Sequence, residues 1–204
     1  MKKLKDYIAE ASLLDIEGTL DSGNEAIKKS IEKWINDNYR VKYLKISDNP
    51  NNDNIYEVDA RDVFVKNKNI KSLTNDLFVW KTVRNYFNCC YCKYLTSLEG
   101  SPEKVDGDFG CTHCDSLTSL KGAPREVGGE FYCSSCKSLK SLEGAPEKVY
   151  GYFSCSNCDS LTSLEGAPEK VGGNFYCDNC PSLKSTDLPA TTKVKGEIFE
   201  WKFH

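Results

Sequence analysis

Phe87, Phe109, Phe131, Phe153 and Phe175 stand 22 residues apart, and each opens a copy of one phrase. Every copy has Cys at +2 and +5 and Leu at +8, and the first four add Leu at +11, Gly at +13 and Pro at +15. A spacing held over so long a stretch means one supersecondary unit stacked on itself, a solenoid. A single unit cannot bury its own apolar face, so the copies depend on one another. The repeat decides the fold class and points to an extended surface, but it says little about a ligand.

Within a copy, V-x-G-x-F-x-C alternates, so Phe and the first Cys share one face of a strand. After a turn, Cys at +5, Leu at +8 and Leu at +11 recur every third residue. That rhythm predicts a 3₁₀-like or irregular return with its side chains facing the same interior. Gly at +13 and Pro at +15 bend the coil back, since Gly accepts positive φ and Pro fixes its own. The Val at +18 begins the next rung.

The eleven cysteines admit three readings. A disulfide framework suits a small exported scaffold, but the count is odd and the N-terminus lacks the apolar core of a secretory signal. Zinc needs four ligands converging on a point, and C-x-x-C is a zinc signature. The third reading treats both cysteines as small, mostly apolar repeat positions facing inward. Periodicity favours it, because the two cysteines recur with Phe and Leu as core positions do. Two parallel sulfur columns are the expected result, with no cofactor and no metal site.

The flanks divide the chain further. Residues 1–20 read as a leader or short helix with Leu4, Ile8 and Leu13 on one stripe. Residues 21–62 read as a helical cap with one or two strands. Ser22-Gly23-Asn24-Glu25 has the form of a capping box, and Ile27, Ile31, Trp34 and Ile35 follow at helical spacing to about Asn38. Val41–Ile46 reads as a strand, 47–54 as a polar loop and Ile55–Val65 as a second extended stretch. Residues 63–197 form the array, one degenerate copy followed by five. In the degenerate copy Val65 stands for Phe, Asn67 and Ile70 for the two cysteines, and Leu73 for the first Leu. Residues 198–204 read as a closing edge strand whose Glu200 and Lys202 discourage further pairing.

Phe109-x-Cys111-x-x-Cys114-x-x-Leu117-x-x-Leu120 resembles the leucine-rich repeat in its cysteine-bearing form, and S-L-x-S-L-E-G-A-P is similar to bacterial and phage arrays of that kind. The resemblance implies a horseshoe-type coil whose strands line a binding side. The expected fold is therefore α+β: an N-terminal α-helical cap and a leucine-rich-repeat-like solenoid with a parallel β-sheet face.

The copies also serve as their own alignment. Before each Phe stand Tyr86, Asp108, Glu130, Tyr152 and Asn174; after it stand Asn88, Gly110, Tyr132, Ser154 and Tyr176. After the first Cys stand Cys90, Thr112, Ser134, Ser156 and Asp178. These positions face away from the core and vary. Tyr86, Asp108, Glu130, Tyr132, Tyr152, Asn174, Tyr176 and Asp178 are the candidate contacts with a protein partner, because Tyr offers large contact area at low entropic cost. The competing reading is that exposed Tyr merely suits a strand.

Other classes have less support. Net charge is −3 with both signs mixed, which argues against nucleic acid. No run of 18 apolar residues supplies a membrane span. No nucleophile–base–orienter set or phosphate loop marks an enzyme or a small-molecule substrate, and a pairing of His113 with Cys111 or Cys114 competes with the repeat's own explanation of those cysteines. The N-terminal stretch from Met1 to Ser12 resembles the capsid-targeting leader of internal head proteins of large tailed bacteriophages. In that family a protease cuts after Glu in an [Ile/Leu]-x-Glu pattern, which Ile8-Ala9-Glu10 before Ala11 matches. The resemblance implies processing at Glu10–Ala11 and a location in the virion or host cytoplasm.

Overall fold

The structure, a computed structural model, describes residues 20–48, 55–74 and 78–200, with side chains from residue 25 onward. Helix α1 (Leu20–Asn38) leads into β1 (Tyr39–Lys42) and β2 (Lys45–Asp48). Two long strands follow, β3 (Tyr56–Val65) and β4 (Phe78–Asn88). Each later rung contributes two short strands. One series is β5 (Lys104–Val105), β7 (Glu126–Val127), β9 (Lys148–Val149), β11 (Lys170–Val171) and β13 (Lys193–Val194). The other is β6 (Phe109–Gly110), β8 (Phe131–Tyr132), β10 (Phe153–Ser154), β12 (Phe175–Tyr176) and β14 (Ile198–Phe199).

From β4 the two series run as separate parallel ladders in exact copy order. One aligns Val83, Val105, Val127, Val149, Val171 and Val194. The other aligns Phe87, Phe109, Phe131, Phe153, Phe175 and Ile198. A third set of rung-to-rung bonds closes the coil, with the amides of Leu98 and Leu120 donating to the carbonyls of Lys121 and Glu143 at 2.9 and 2.8 Å. The molecule is a parallel-strand β-solenoid of about six turns with 22-residue repeats. It is mostly β, so the α+β expectation holds only for the single described helix. The closing leg contains hydrogen-bonded turns and no helix, which is why the repeats add strand and no α content.

The interior is filled as the repeat requires. The Val, Phe, Cys and Leu columns of the middle rungs are wholly buried. Successive Phe rings stack at 5.4, 5.2, 5.3 and 5.1 Å between centroids. Each buried Phe contributes roughly 1.5–3 kcal/mol. Gly122 adopts φ +86, and a Cβ there would lie 2.2 Å from the Glu99 backbone nitrogen, so this corner requires glycine twice over.

An aromatic plug closes the first open end. Ile31 and Ile35 of α1 are fully buried, and Trp34 packs on Tyr39 and Phe78 at 6.0 and 5.9 Å. Trp80 continues the cluster to Phe87 at 6.2 Å. α1 includes Ser22, the residue read as its cap, whose side chain lies outside those described. The expected single strand Val41–Ile46 is two strands, because Tyr43 has φ 55 and breaks the run; Ser47 and Asp48, read as loop, belong to β2.

The degenerate copy is shifted from its expected alignment. Val63, and not Val65, lies opposite Phe87. The amide of Ile70 bonds the carbonyl of Asn67 as that of Leu95 bonds Cys92, so Asn67 takes the second Cys place and Ile70 the first Leu place. Gly100, whose added Cβ would meet Leu73, completes the match of Leu73 to Leu98. This rung is one residue shorter between Val65 and Asn67, which the sequence spacing disguised. At the other end β14 adds a parallel strand to β12, with the inserted residue taken up before Gly196. The leader and residues 201–204 lie outside the described residues.

Candidate functional site

The outward columns beside the Phe ladder make the candidate site. Because Phe points inward, the residues before and after it point out, and parallel register brings equivalent positions to neighbouring rungs about 4.8 Å apart. Tyr132 and Tyr152 meet edge to face at 5.3 Å and join their hydroxyls at 2.7 Å. The Tyr132 hydroxyl also donates to the Glu130 carboxylate. Tyr152 meets Tyr176 edge to face at 5.5 Å, and Asn174 Nδ2 donates to the Tyr176 hydroxyl at 2.9 Å. Burial, with the Glu130 carboxylate beside it, pushes the Tyr152 hydroxyl up to about 12.

Thus Glu130, Tyr132, Tyr152, Asn174 and Tyr176 come together as one half-buried row. Asp108 sits at its margin, where Oδ1 accepts from the Glu130 amide at 2.9 Å. Asp178 belongs to the third column and accepts from Ser156. Tyr86 stands apart and is 42% exposed. Phe199 was missed: it stacks on Tyr176 at 4.8 Å and extends the aromatic row into the last rung. The insertion before Gly196 displaces it from the 22-residue count; counting from Ile198 as the next Phe place would have found it.

The other conspicuous groups are structural. Tyr91, His113, Ser135, Asn157 and Asn179 all have φ between 52 and 64, so this position is a left-handed turn. His113 is exposed and stacks on Tyr91 at 4.7 Å. All eleven cysteines are free thiols. The second Cys of a rung donates to the carbonyl of the first Cys one rung earlier: Cys114 to Cys89, Cys136 to Cys111 and Cys158 to Cys133, at 3.3, 3.2 and 3.4 Å. Neighbouring thiols and burial push Cys89 and Cys111 well above the usual thiol range, and burial alone leads for Cys133 and Cys155. Among the described residues no group of three or more His, Cys, Asp and Glu side chains stands together as metal ligands would.

Beside the prolines the charge order alternates over Glu103-Lys104, Arg125-Glu126 and Glu147-Lys148, and Glu169-Lys170 then repeats the last order, setting Lys170 beside Lys148. Arg125-Glu126 reverses the order of Glu147-Lys148, so parallel register pairs Arg125 with Glu147 at 2.8 Å and Lys148 with Glu126 at 2.6 Å. Such exposed pairs contribute little stability each.

Fold and site together define a free-thiol parallel β-solenoid with an α-helical plug and an aromatic strand face. No protein family, curated protein or solved structure matches the chain. Among the described residues no helix is long and apolar enough to cross a membrane.

Proposed function

We propose that this is a non-enzymatic, leucine-rich-like binding solenoid that engages a protein partner through its strand face. The observation that carries the reading is the row Tyr132–Tyr152–Tyr176–Phe199. Four aromatic rings in successive rungs lie on the outer side of a hydrogen-bonded ladder, touching one another but taking no part in the core. The hydroxyls of Tyr132 and Tyr176 are held by Glu130 and Asn174, and that of Tyr152 by Tyr132, so little side-chain entropy remains to be lost on binding. Phage origin and head packaging belong to the same proposal and rest on the leader-like residues around Glu10 and Ala11; an intact mass from virions that retains Met1–Glu10 would count against them.

The test of the binding role is a paired measurement on Tyr132→Ser/Tyr176→Ser. Capture of partner by the immobilised protein should be lost while the melting temperature stays within a few degrees of wild type. Unchanged capture would remove the strand face from the account.

A further inference from the structure

The three outward columns from Tyr86 to Phe199 carry Asp108, Glu130, Asp178 and Glu197, and no lysine or arginine. None of these four carboxylates forms an ion pair among the described residues. Asp108 accepts from a backbone amide, Glu130 from a phenol and Asp178 from Ser156 and Asn179. On the turn edges of the same coil, by contrast, Asp106, Glu126, Glu143 and Glu147 are each matched by a cation within 3.0 Å. Lys68 Nζ donates to the Cys90 carbonyl at 2.7 Å, at the end of the columns far from Asp178. Those four edge carboxylates are neutralised by neighbouring cations, and the strand face carries negative charge with no cation in its three columns.

Negative charge here lies beside aromatic faces. A phenol ring attracts a cation over its face, and guanidinium both stacks on aromatic planes and forks onto carboxylates. Building on the strand-face reading, we infer that the partner presents a basic, arginine-bearing segment, with guanidinium groups against the Tyr132–Tyr176 row and the carboxylates of Glu130 and Asp178. A neutral or acidic segment would leave these carboxylates facing no counter-charge, or repel them. An arginine segment supplies both interactions at once.

The test uses the whole protein and a short peptide of alternating arginine and serine, with a glutamate–serine peptide as control, in calorimetric titrations at low salt. Glu130→Gln/Asp178→Asn removes two charges from the strand face. Glu99→Gln/Glu165→Gln removes the same charge from turn edges, so nonspecific attraction is matched. The arginine peptide should bind the first variant about tenfold more weakly and the second less than about twofold more weakly than wild type. Equal weakening in both, no weakening in either, or equal binding of the glutamate peptide overturns the inference. Hydrogen exchange of the unaltered protein is the second measurement: the peptide should slow exchange over residues 130–134, 152–156 and 174–178, and protection elsewhere or none overturns it too. If tyrosine-dependent partner capture survives while the arginine peptide fails these tests, the partner's chemistry is wrong and the binding face stands. If capture itself is indifferent to the tyrosines, the binding face is wrong.

Discussion

Cys136 Sγ donates to the backbone carbonyl of Cys111 at 3.2 Å, a bond that crosses from one rung to the rung before it. That carbonyl accepts no backbone amide among the described hydrogen bonds, whereas the carbonyl of Ser154, which takes the thiol of Cys133, already holds the Cys133 amide. The two cysteine columns are therefore unequal. The second supplies a donor that a buried carbonyl needs; the first mainly fills space.

Replacing the two columns should show that inequality. Cys136→Ala strands a buried acceptor and should cost about 2 kcal/mol, whereas Cys136→Ser keeps a donor and should cost less than half as much. Cys133→Ala loses volume alone and should cost about 1 kcal/mol. Denaturant unfolding of the three variants checks the order; Cys136→Ala no worse than Cys133→Ala would contradict the donor role.

Alkaline pH should unfold the protein. Burial raises Cys92 and Cys177 from the ordinary 9.0 up to about 12, so each is neutral when folded at a pH where the unfolded chain ionises it. For an acid whose folded value is raised, the stabilisation is complete below pH 9 and disappears as pH climbs from 9 toward 12. The slope approaches about 1.4 kcal/mol per pH unit for each such thiol. Melting temperatures should be level between neutrality and mild base, then fall steeply; a level profile through strong base would mean the thiols are solvated.

Gly122→Ala should destabilise by more than about 1 kcal/mol, whereas the same change at a glycine with an ordinary φ is mildly stabilising, because here φ is +86 and the Cβ meets the Glu99 backbone. The melting temperature should fall by several degrees. A neutral effect would place the corner elsewhere.

His113→Asn should leave stability within about 0.5 kcal/mol of wild type, since Asn holds the same left-handed turn in two other rungs. Thermal unfolding reads this directly. A loss of several degrees would give His113 a role beyond the turn.

The array was legible because its period is carried by residues that cannot be exchanged: Phe for the ring stack, Leu for the interior corner, Gly122 and its equivalents for positive φ. V-x-G-x-F-x-C reads as one strand per rung, but the chain leaves the ladder between Val and Phe, so each rung carries two short strands. The first rung was misaligned because Val63 and Val65 are both apolar and both buried, so pattern alone could not choose between them. The break at Tyr43 was hidden for a related reason: β-propensity favours Tyr, and nothing local announces a positive φ there. At the candidate site, the sequence columns identified which residues share a face, and Tyr132, Tyr152 and Tyr176 meet while Tyr86 stands apart. Which of them touch depended on rung register and ring rotation. Phe199 escaped notice through one inserted residue, and the carbonyl-seeking thiols through distances no spacing expresses.

Thiols and phenyl rings lie inside the coil and tyrosines outside it, and brief alkylation of the native protein followed by peptide mass mapping probes that arrangement most directly. Half-buried Cys90 and Cys180 are expected to react first, with Cys111, Cys133 and Cys155 unmodified until the chain is unfolded. Prompt alkylation of those three in the native protein would contradict the solenoid interior and the strand face built upon it.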